Sequence, residues 1–235
     1  MKQLELSPRL FAAAQLVPPG AAVADIGTDH AYLPVWLLKQ GLVRHAIAAD
    51  LRKGPLDRAH LTAQEYDCRE NIDFRLCDGL TGIGPDEVDC IVIAGMGGET
   101  IAAILQGAPW TREPRYTLVL QPMSAQNDLR RWLWQQGYGI REERLISEGD
   151  KLYNILLVRF GGAVPMTIAE EWAGKQTSDT DQPLRGAYLS RLLKKIQRAI
   201  DGISRGNDLG DRTRLEELEQ LYQQLTQMKQ EWEQW

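Results

Sequence analysis

Short apolar runs that end in an acid or a glycine recur through the first 160 residues, and most are followed by a stretch with helical spacing. A lead-in helix comes first: Ser7-Pro8 reads as a cap and a first-turn proline, and Leu10, Ala13, Ala14 and Val17 follow until Pro18-Pro19-Gly20 stops the pattern. Residues 21–26 predict a strand ending in Asp25 and Gly27, and residues 33–40 a helix stopped by Gly41. The unit repeats as a strand at 46–49 ending in Asp50, a helix at 55–68, and a strand at 72–76 ending in Asp78-Gly79. A further strand, 88–94, runs into Gly95-Met96-Gly97-Gly98 before a helix at 99–106. A buried strand at 116–120 then leads through Gln121-Pro122 to an amphipathic helix at 125–136. Strands at 139–146 and 152–160 close a hairpin around Glu148-Gly149-Asp150.

Apolar strands alternating with helices predict a Rossmann-like α/β domain, its sheet mainly parallel and covered on both faces, with an antiparallel C-terminal strand from the hairpin. Ligands of such sheets sit beyond the carboxyl ends of the strands, where the strand order switches. Asp25, Gly27, Asp50, Asp78 and Gly95 all fall there.

After Gly161-Gly162 the pattern weakens, and 174–183 is polar without an apolar period. Leu189, Leu192, Ile196, Ile200 and Ile203 then recur at helical spacing, Gly202, Gly206 and Gly210 interrupt, and Leu218, Leu221, Leu225, Met228, Trp232 and Trp235 form a heptad seam. The expected organisation is a ligand-binding α/β domain at 1–160, a linker at 161–183 and an antiparallel coiled-coil hairpin at 184–235. Such a hairpin serves either as a packing or oligomerisation device or as a substrate arm.

Composition changes this picture little. With 43% hydrophobic and 25% charged residues the chain has an ordinary globular makeup. It carries no apolar run of membrane-spanning length and no signal-peptide layout at its N-terminus, so the expected location is the cytoplasm. Cys68, Cys77 and Cys90 form no CxxC pair and are expected as buried thiols, and the three histidines show no metal-binding spacing, so no metal is expected. The net charge of −5 hides a local excess: residues 183–214 hold eight basic residues against three acids. On the first hairpin helix Arg191, Lys194, Lys195 and Arg198 recur on one surface and suit the phosphates of a nucleic acid, with a solvated charged face as the bland alternative.

The residues with most chemical content are 23–34, VADIGTDHAYLP. Gly27 permits close approach of a ligand at a strand-to-helix turn whose helix start offers free N–H groups. The stretch departs from the dinucleotide fingerprint GxGxxG, because Asp29 stands where the second glycine belongs and would repel a pyrophosphate. A cationic ligand with an amino-acid end is more compatible, with Asp25 accepting from its ammonium group. Asp50, 23 residues after Gly27, suits two ribose hydroxyls, and Asp78-Gly79 an adenine amino group. Together these acids describe a site for a positively charged adenosine, the chemistry of S-adenosylmethionine.

In order, DIGTDHAYLP (25–34), AAD (48–50), CDGL (77–80), IAGMGGETI (93–101) and LQPM (120–123) resemble the bacterial tRNA (adenine-N1)-methyltransferase family that modifies adenine 22, over about residues 5–160. The basic helical hairpin agrees with that family's C-terminal coiled-coil domain. The resemblance implies a class I methyltransferase sheet and a cofactor site at Asp25, Gly27, Asp50 and Asp78, flanked by Thr28, Leu51, Cys77, Gly79, Ala94 and Gly95. It implies tRNA as partner, and a monomer or weak homodimer is expected. IAGMGG carries none of the Asn/Asp-Pro-Pro-aromatic motif of many amino methyltransferases. That suits N1 of adenine, whose in-plane lone pair needs alignment more than a strong base. Small residues there leave room for a flat base, with Met96 available to pack on it. Tyr32 is expected to stack on the base, Asp29 or His30 to hydrogen-bond its edge, and Gln121-Pro122 to face the same pocket. The competing readings are a methyltransferase for a small molecule or protein, a non-catalytic S-adenosylmethionine-binding protein, and, last, a nicotinamide dehydrogenase.

Overall fold

The structure, a computed structural model, describes residues 4–178, 182–203 and 209–235, and the chain divides into two compact units, Met1–Val164 and Pro165–Trp235. The first unit contains strands β1 (Ala21–Ile26), β2 (Val43–Asp50), β3 (Ile72–Leu76), β4 (Cys90–Gly97), β5 (Thr117–Ser124), β6 (Tyr138–Glu148) and β7 (Lys151–Phe160). Its helices are α1 (Pro8–Ala14), α2 (Tyr32–Lys39), α3 (Lys53–Glu65), α4 (Gly98–Gln106) and α5 (Gln126–Gln135). One sheet runs in the order β3-β2-β1-β4-β5-β7-β6, parallel from β3 through β5, with β7 antiparallel to both neighbours. This is the Rossmann-like class I methyltransferase sheet.

The central strands read as continuous apolar runs because both faces are covered. Val23, Cys90, Val92 and Val119 pack with Ala13, Leu33 and Val35 of α1 and α2 on one face. Ala24, Ile26, Ile91, Ile93 and Leu118 pack with Ile101, Leu105, Leu129 and Leu133 of α4 and α5 on the other. From β1 the chain builds outward to β2 and β3, then returns to place β4 on the opposite side of β1. The crevice between the β1 and β4 carboxyl ends is therefore the switch point.

Several elements differ from their expected bounds. β4 begins only at Cys90 and runs on through Gly97, and β5 runs through Ser124, because the pair continues irregularly as Met96↔Pro122 and Gly97↔Ser124 with register shifts. Gln121 and Pro122 are thus strand residues. α3 stops at Glu65 instead of 68, where Asp67 adopts a left-handed φ of +53°. Cys68 and Cys90 are buried thiols, whereas Cys77 is only half-buried at the end of β3.

The second unit holds α6 (Ile168–Ala173), α7 (Arg185–Ile203) and α8 (Leu209–Gln234). α6 lies in the stretch expected as linker. It is started by a capping box in which the Thr167 hydroxyl accepts from Glu170 N and the Glu170 carboxylate from Thr167 N. Leu189, Leu192 and Ile196 of α7 and Leu221, Leu225 and Met228 of α8 are buried as the seam requires, but Trp235 is 55% exposed, edge-on to Trp232. A Cβ on Gly186 would lie 3.5 Å from Trp232 Nε1, so the start of α7 meets the end of α8 and the pair is antiparallel. Gly202 and Gly210 are accommodated within the two helices; Arg205, Gly206 and Asp208 lie outside the described residues.

Candidate functional site

The order β3-β2-β1 sets three carboxylates in a row at neighbouring strand ends. Asp25 sits near the end of β1, 8% exposed, with no cation paired to it among the described residues. Burial pushes its carboxyl up from 3.8 to about 6; the Thr28 hydroxyl tempers the rise and the charge of Asp50 adds to it. That hydroxyl is itself buried without a full hydrogen bond. Asp50, also buried, ends β2 and accepts the Arg52 backbone N–H through Oδ1 at 2.7 Å, which fixes the carboxylate. Asp78 is exposed on the turn after β3, its carbonyl accepting from Thr81 N and Oγ1. A cavity of about 240 Å³ opens beside it, lined by Asp78, Leu80, Thr81, Thr100 and Ile104. Leu51 is 65% exposed beyond β2.

The glycines keep this crevice open. Gly27 follows β1 with φ +75°, its N–H and that of Thr28 both donating to Ala49 O. Met96 Cε lies directly above it, so Met96 reaches from the irregular end of β4 across to β1. Gly79 has φ +54°, and a Cβ there would press on Ile104. Gly95, with φ +82°, is exposed at the β4 end beside the half-buried Ala94.

His30 and Ala31 are consecutive left-handed residues, φ +67° and +52°, costing about 1–2 kcal/mol each. Strain of this kind gathers at functional sites. It starts α2 at Tyr32, a residue earlier than expected, and lays the Tyr32 ring parallel to His30 at 5.0 Å. Both line a cavity of about 540 Å³ with Arg58, Leu61 and Tyr66. Asp29 does not stand free: its Oδ1 accepts from Arg58 Nη2 at 2.6 Å and Nε at 3.1 Å. Nothing in the sequence marks Arg58, because a helix-surface arginine carries no motif.

Gln121 does not face a base pocket with a free amide. It is fully buried, and its Oε1 accepts from Gly95 N at 3.0 Å and from Arg9 Nη1 at 2.7 Å while its Nε2 donates to Pro122 O. Its role is to fix the β4 end and to hold Arg9, a second residue that carried no sequence signal beyond following Ser7-Pro8.

In the second unit Arg191, Lys194, Lys195 and Arg198 are all exposed on α7, with Lys195 Nζ 5.0 Å from the Trp172 ring centroid. Among the described residues no group of three or more His, Cys, Asp or Glu is placed to hold a metal, and no helix is long and apolar enough to cross a membrane.

A family model described as a methyltransferase domain matches residues 6–156. The tRNA (adenine(22)-N(1))-methyltransferase of Bacillus subtilis (strain 168) is 37% identical over 161 residues, 68% of each chain. The crystal structure of the B. subtilis M1A22 tRNA methyltransferase TrmK superposes with a TM-score of 0.88 at 29% identity, covering 97% of this chain and 100% of that one. Sp1610 of Streptococcus pneumoniae, solved in complex with S-adenosyl-L-methionine, superposes with a TM-score of 0.83 at 30% identity over 96% of this chain and 100% of that one.

Proposed function

We propose that this chain, which belongs to the tRNA (adenine(22)-N1)-methyltransferase family, transfers a methyl group from S-adenosylmethionine to N1 of adenine 22 in tRNA. The observation that carries the reading is Asp25: a buried carboxylate at the switch point, without a paired cation among the described residues and beside a second carboxylate, calls for a positively charged ligand. S-adenosylmethionine supplies an electrophilic methyl group on a sulfonium centre.

The residues fit this cofactor. Asp25 accepts from an ammonium group, Asp50 from ribose hydroxyls, and Asp78, at the mouth of its small cavity, from an adenine amino group. Thr28 brings an unsatisfied hydroxyl; Gly27, Gly79, Ala94 and Gly95 give close approach, and Leu51 and Cys77 line the rim. No general base is needed, because N1 of adenine offers a lone pair and loses no proton. Catalysis is then alignment: Tyr32, stacked with His30, positions the base, Met96 packs on it, and Asp29 acts through its pairing with Arg58. Arg191, Lys194, Lys195 and Arg198 track phosphates of the tRNA. The enzyme works where tRNA is, in the cytoplasm, as a monomer or weak homodimer.

The test is methyl transfer from labelled S-adenosylmethionine to unmodified bacterial tRNA, with the product nucleoside identified by mass spectrometry and Asp25→Ala as control. N1-methyladenosine that disappears in the control is the expected result. Cofactor binding without transfer to a broad tRNA pool would sink the RNA acceptor.

A further inference from the structure

The residues assigned to the cofactor so far are acids and neutral groups, and the Arg52 and Arg58 guanidinium groups beside them are paired with Asp50 and Asp29. An amino-acid end, however, carries a carboxylate next to its ammonium, and a carboxylate among Asp25, Asp50 and Asp29 needs a cation of its own. One cation is placed for it. Arg9 lies in the first turn of α1, where Ser7 caps the helix, Pro8 fixes the backbone and the Arg9 N–H donates to Glu148 Oε2 at 3.2 Å. Its side chain crosses to the β4 and β5 ends. There Nη1 donates to Gln121 Oε1 at 2.7 Å, the guanidinium carbon lies 5.4 Å from the Tyr153 ring centroid, and a Cβ on Gly95 would be 3.4 Å from Nη1.

This guanidinium is held but not neutralised. It forms no ion pair among the described residues, and its Nε is buried without a hydrogen-bond partner. Gln121 is locked with its oxygen toward Arg9 and Gly95, and its amide nitrogen is used on Pro122. The arrangement fixes a half-buried positive charge at the carboxyl end of β4. Asp25 holds a buried acid near the end of β1, and Ile26 pairs with Ile93, so the two strand ends are immediate neighbours. The crevice therefore carries an acid on its β1 side and a cation on its β4 side, the polarity a zwitterionic amino-acid group matches.

We propose that Arg9 is the anion receptor of this site and that it binds the carboxylate of the cofactor's methionine end; the assignment rests on the cofactor reading above. A phosphate of the RNA offers the same chemistry. The carboxylate is favoured because it is tethered to the ammonium that Asp25 receives, one strand away.

The test is calorimetric binding to the full chain, wild type, Arg9→Ala and Arg9→Lys, of S-adenosylhomocysteine and of 5′-methylthioadenosine, which keeps the adenosine thioether but lacks the amino-acid end. Arg9→Ala is expected to weaken S-adenosylhomocysteine by about tenfold or more, as loss of a charged hydrogen bond does, and to leave 5′-methylthioadenosine unchanged, with Arg9→Lys recovering part of the loss. Unchanged S-adenosylhomocysteine affinity, or equal loss of both ligands, overturns the assignment. So does a loss confined to tRNA binding with a shallower salt dependence, the signature of a phosphate contact. A wild-type chain that binds neither ligand overturns the cofactor reading itself, and Arg9 with it.

Discussion

Gly27 and Met96 oppose each other across the gap between β1 and β4: a Cβ on Gly27 would stand 2.1 Å from Met96 Cε. The obstacle is the far end of a flexible side chain, so the contact alone is cheap to relieve, whereas the φ of +75° at Gly27 is not. Gly27→Ala is expected to destabilise the protein by about 1–2 kcal/mol and to lower cofactor affinity. Adding Met96→Ala should restore neither. Thermal melts and S-adenosylhomocysteine titrations of the single and double variants check this; full recovery in the double variant would make the glycine a matter of space alone.

Asp25 gives the site a pH dependence. Its carboxyl is pushed up from the ordinary value of 3.8 to about 6 in the folded chain, mainly through burial. The folded chain therefore holds this proton more tightly than the unfolded one. Its contribution to stability is greatest below pH 3.8, declines as pH rises from 3.8 to about 6, and is level above. A cationic ligand wants the ionised form, so cofactor affinity should fall as pH drops through 6, by about tenfold per unit at the limit. Asp25→Asn should bind more weakly with a flat profile between pH 5 and about 7, and should melt higher than wild type at pH 8 without ligand. A wild-type profile that is flat through 6 would remove Asp25 from the ammonium contact.

How much of this was legible in the chain follows from what kind of interaction each residue makes. Strands β1 and β3 matched their expected bounds because apolar runs closed by an acid or glycine are local signals. The acids at those strand ends were legible for the same reason. The overrun of β4 and β5 was not, because Met96↔Pro122 and Gly97↔Ser124 are cross-strand pairs of glycine and proline, which read locally as a turn. α6 is illegible for another reason. Its capping box, Thr167 with Glu170, was present in the sequence, but one short helix gives too little periodicity for an apolar face to show. Arg9 and Arg58 reach the site from α1 and α3 through contacts spanning 112 and 29 residues, and no pattern in the neighbourhood of either marks them. The position of Gln121 at the end of an apolar run is legible, whereas the commitment of its amide oxygen to Arg9 and Gly95 is a long-range contact and is not.

The stacked pair His30 and Tyr32 should separate acceptor handling from cofactor binding. Among the described residues no hydrogen bond or ion pair joins either side chain to Asp25 or Asp50, and the left-handed backbone at His30 and Ala31 sets where both rings point. Tyr32→Ala and His30→Ala are expected to keep S-adenosylhomocysteine affinity and to lower kcat on tRNA, by about 10²-fold for Tyr32 if misplacement of the base is the cause. A parallel loss of cofactor affinity would move these residues into the cofactor site.

Arg185 anchors the second unit independently of any RNA contact. The residue is 1% exposed, and its guanidinium donates to Gly174 O at 2.7 Å and to Ala173 O, tying the end of α6 to the start of α7. Arg185→Met keeps most of the stem but leaves two carbonyls without these donors, at a cost of about 2–4 kcal/mol. Hydrogen exchange should accelerate at α6 and the first turns of α7 while β1 and β4 stay protected. Uniform acceleration across the sheet would mean that the two units do not unfold separately.

Lys194 and Lys195 allow charge and packing on α7 to be told apart. Both are exposed, but Lys195 lies over Trp172, a cation–π contact of about 0.5–1 kcal/mol that Lys194 lacks among the described residues. Lys195→Glu should therefore lower the melting temperature slightly, whereas Lys194→Glu should not. If both lysines meet phosphates, each reversal should raise KM for tRNA with little change in kcat, and each lost contact should reduce the slope of log affinity against log salt by about 0.7–0.9. The slope is the deciding quantity, because a merely destabilised helix raises KM without changing how many counterions binding releases. An unchanged slope in both variants would leave the α7 surface as a solvated face, and the hairpin as a packing element with no share in holding the tRNA.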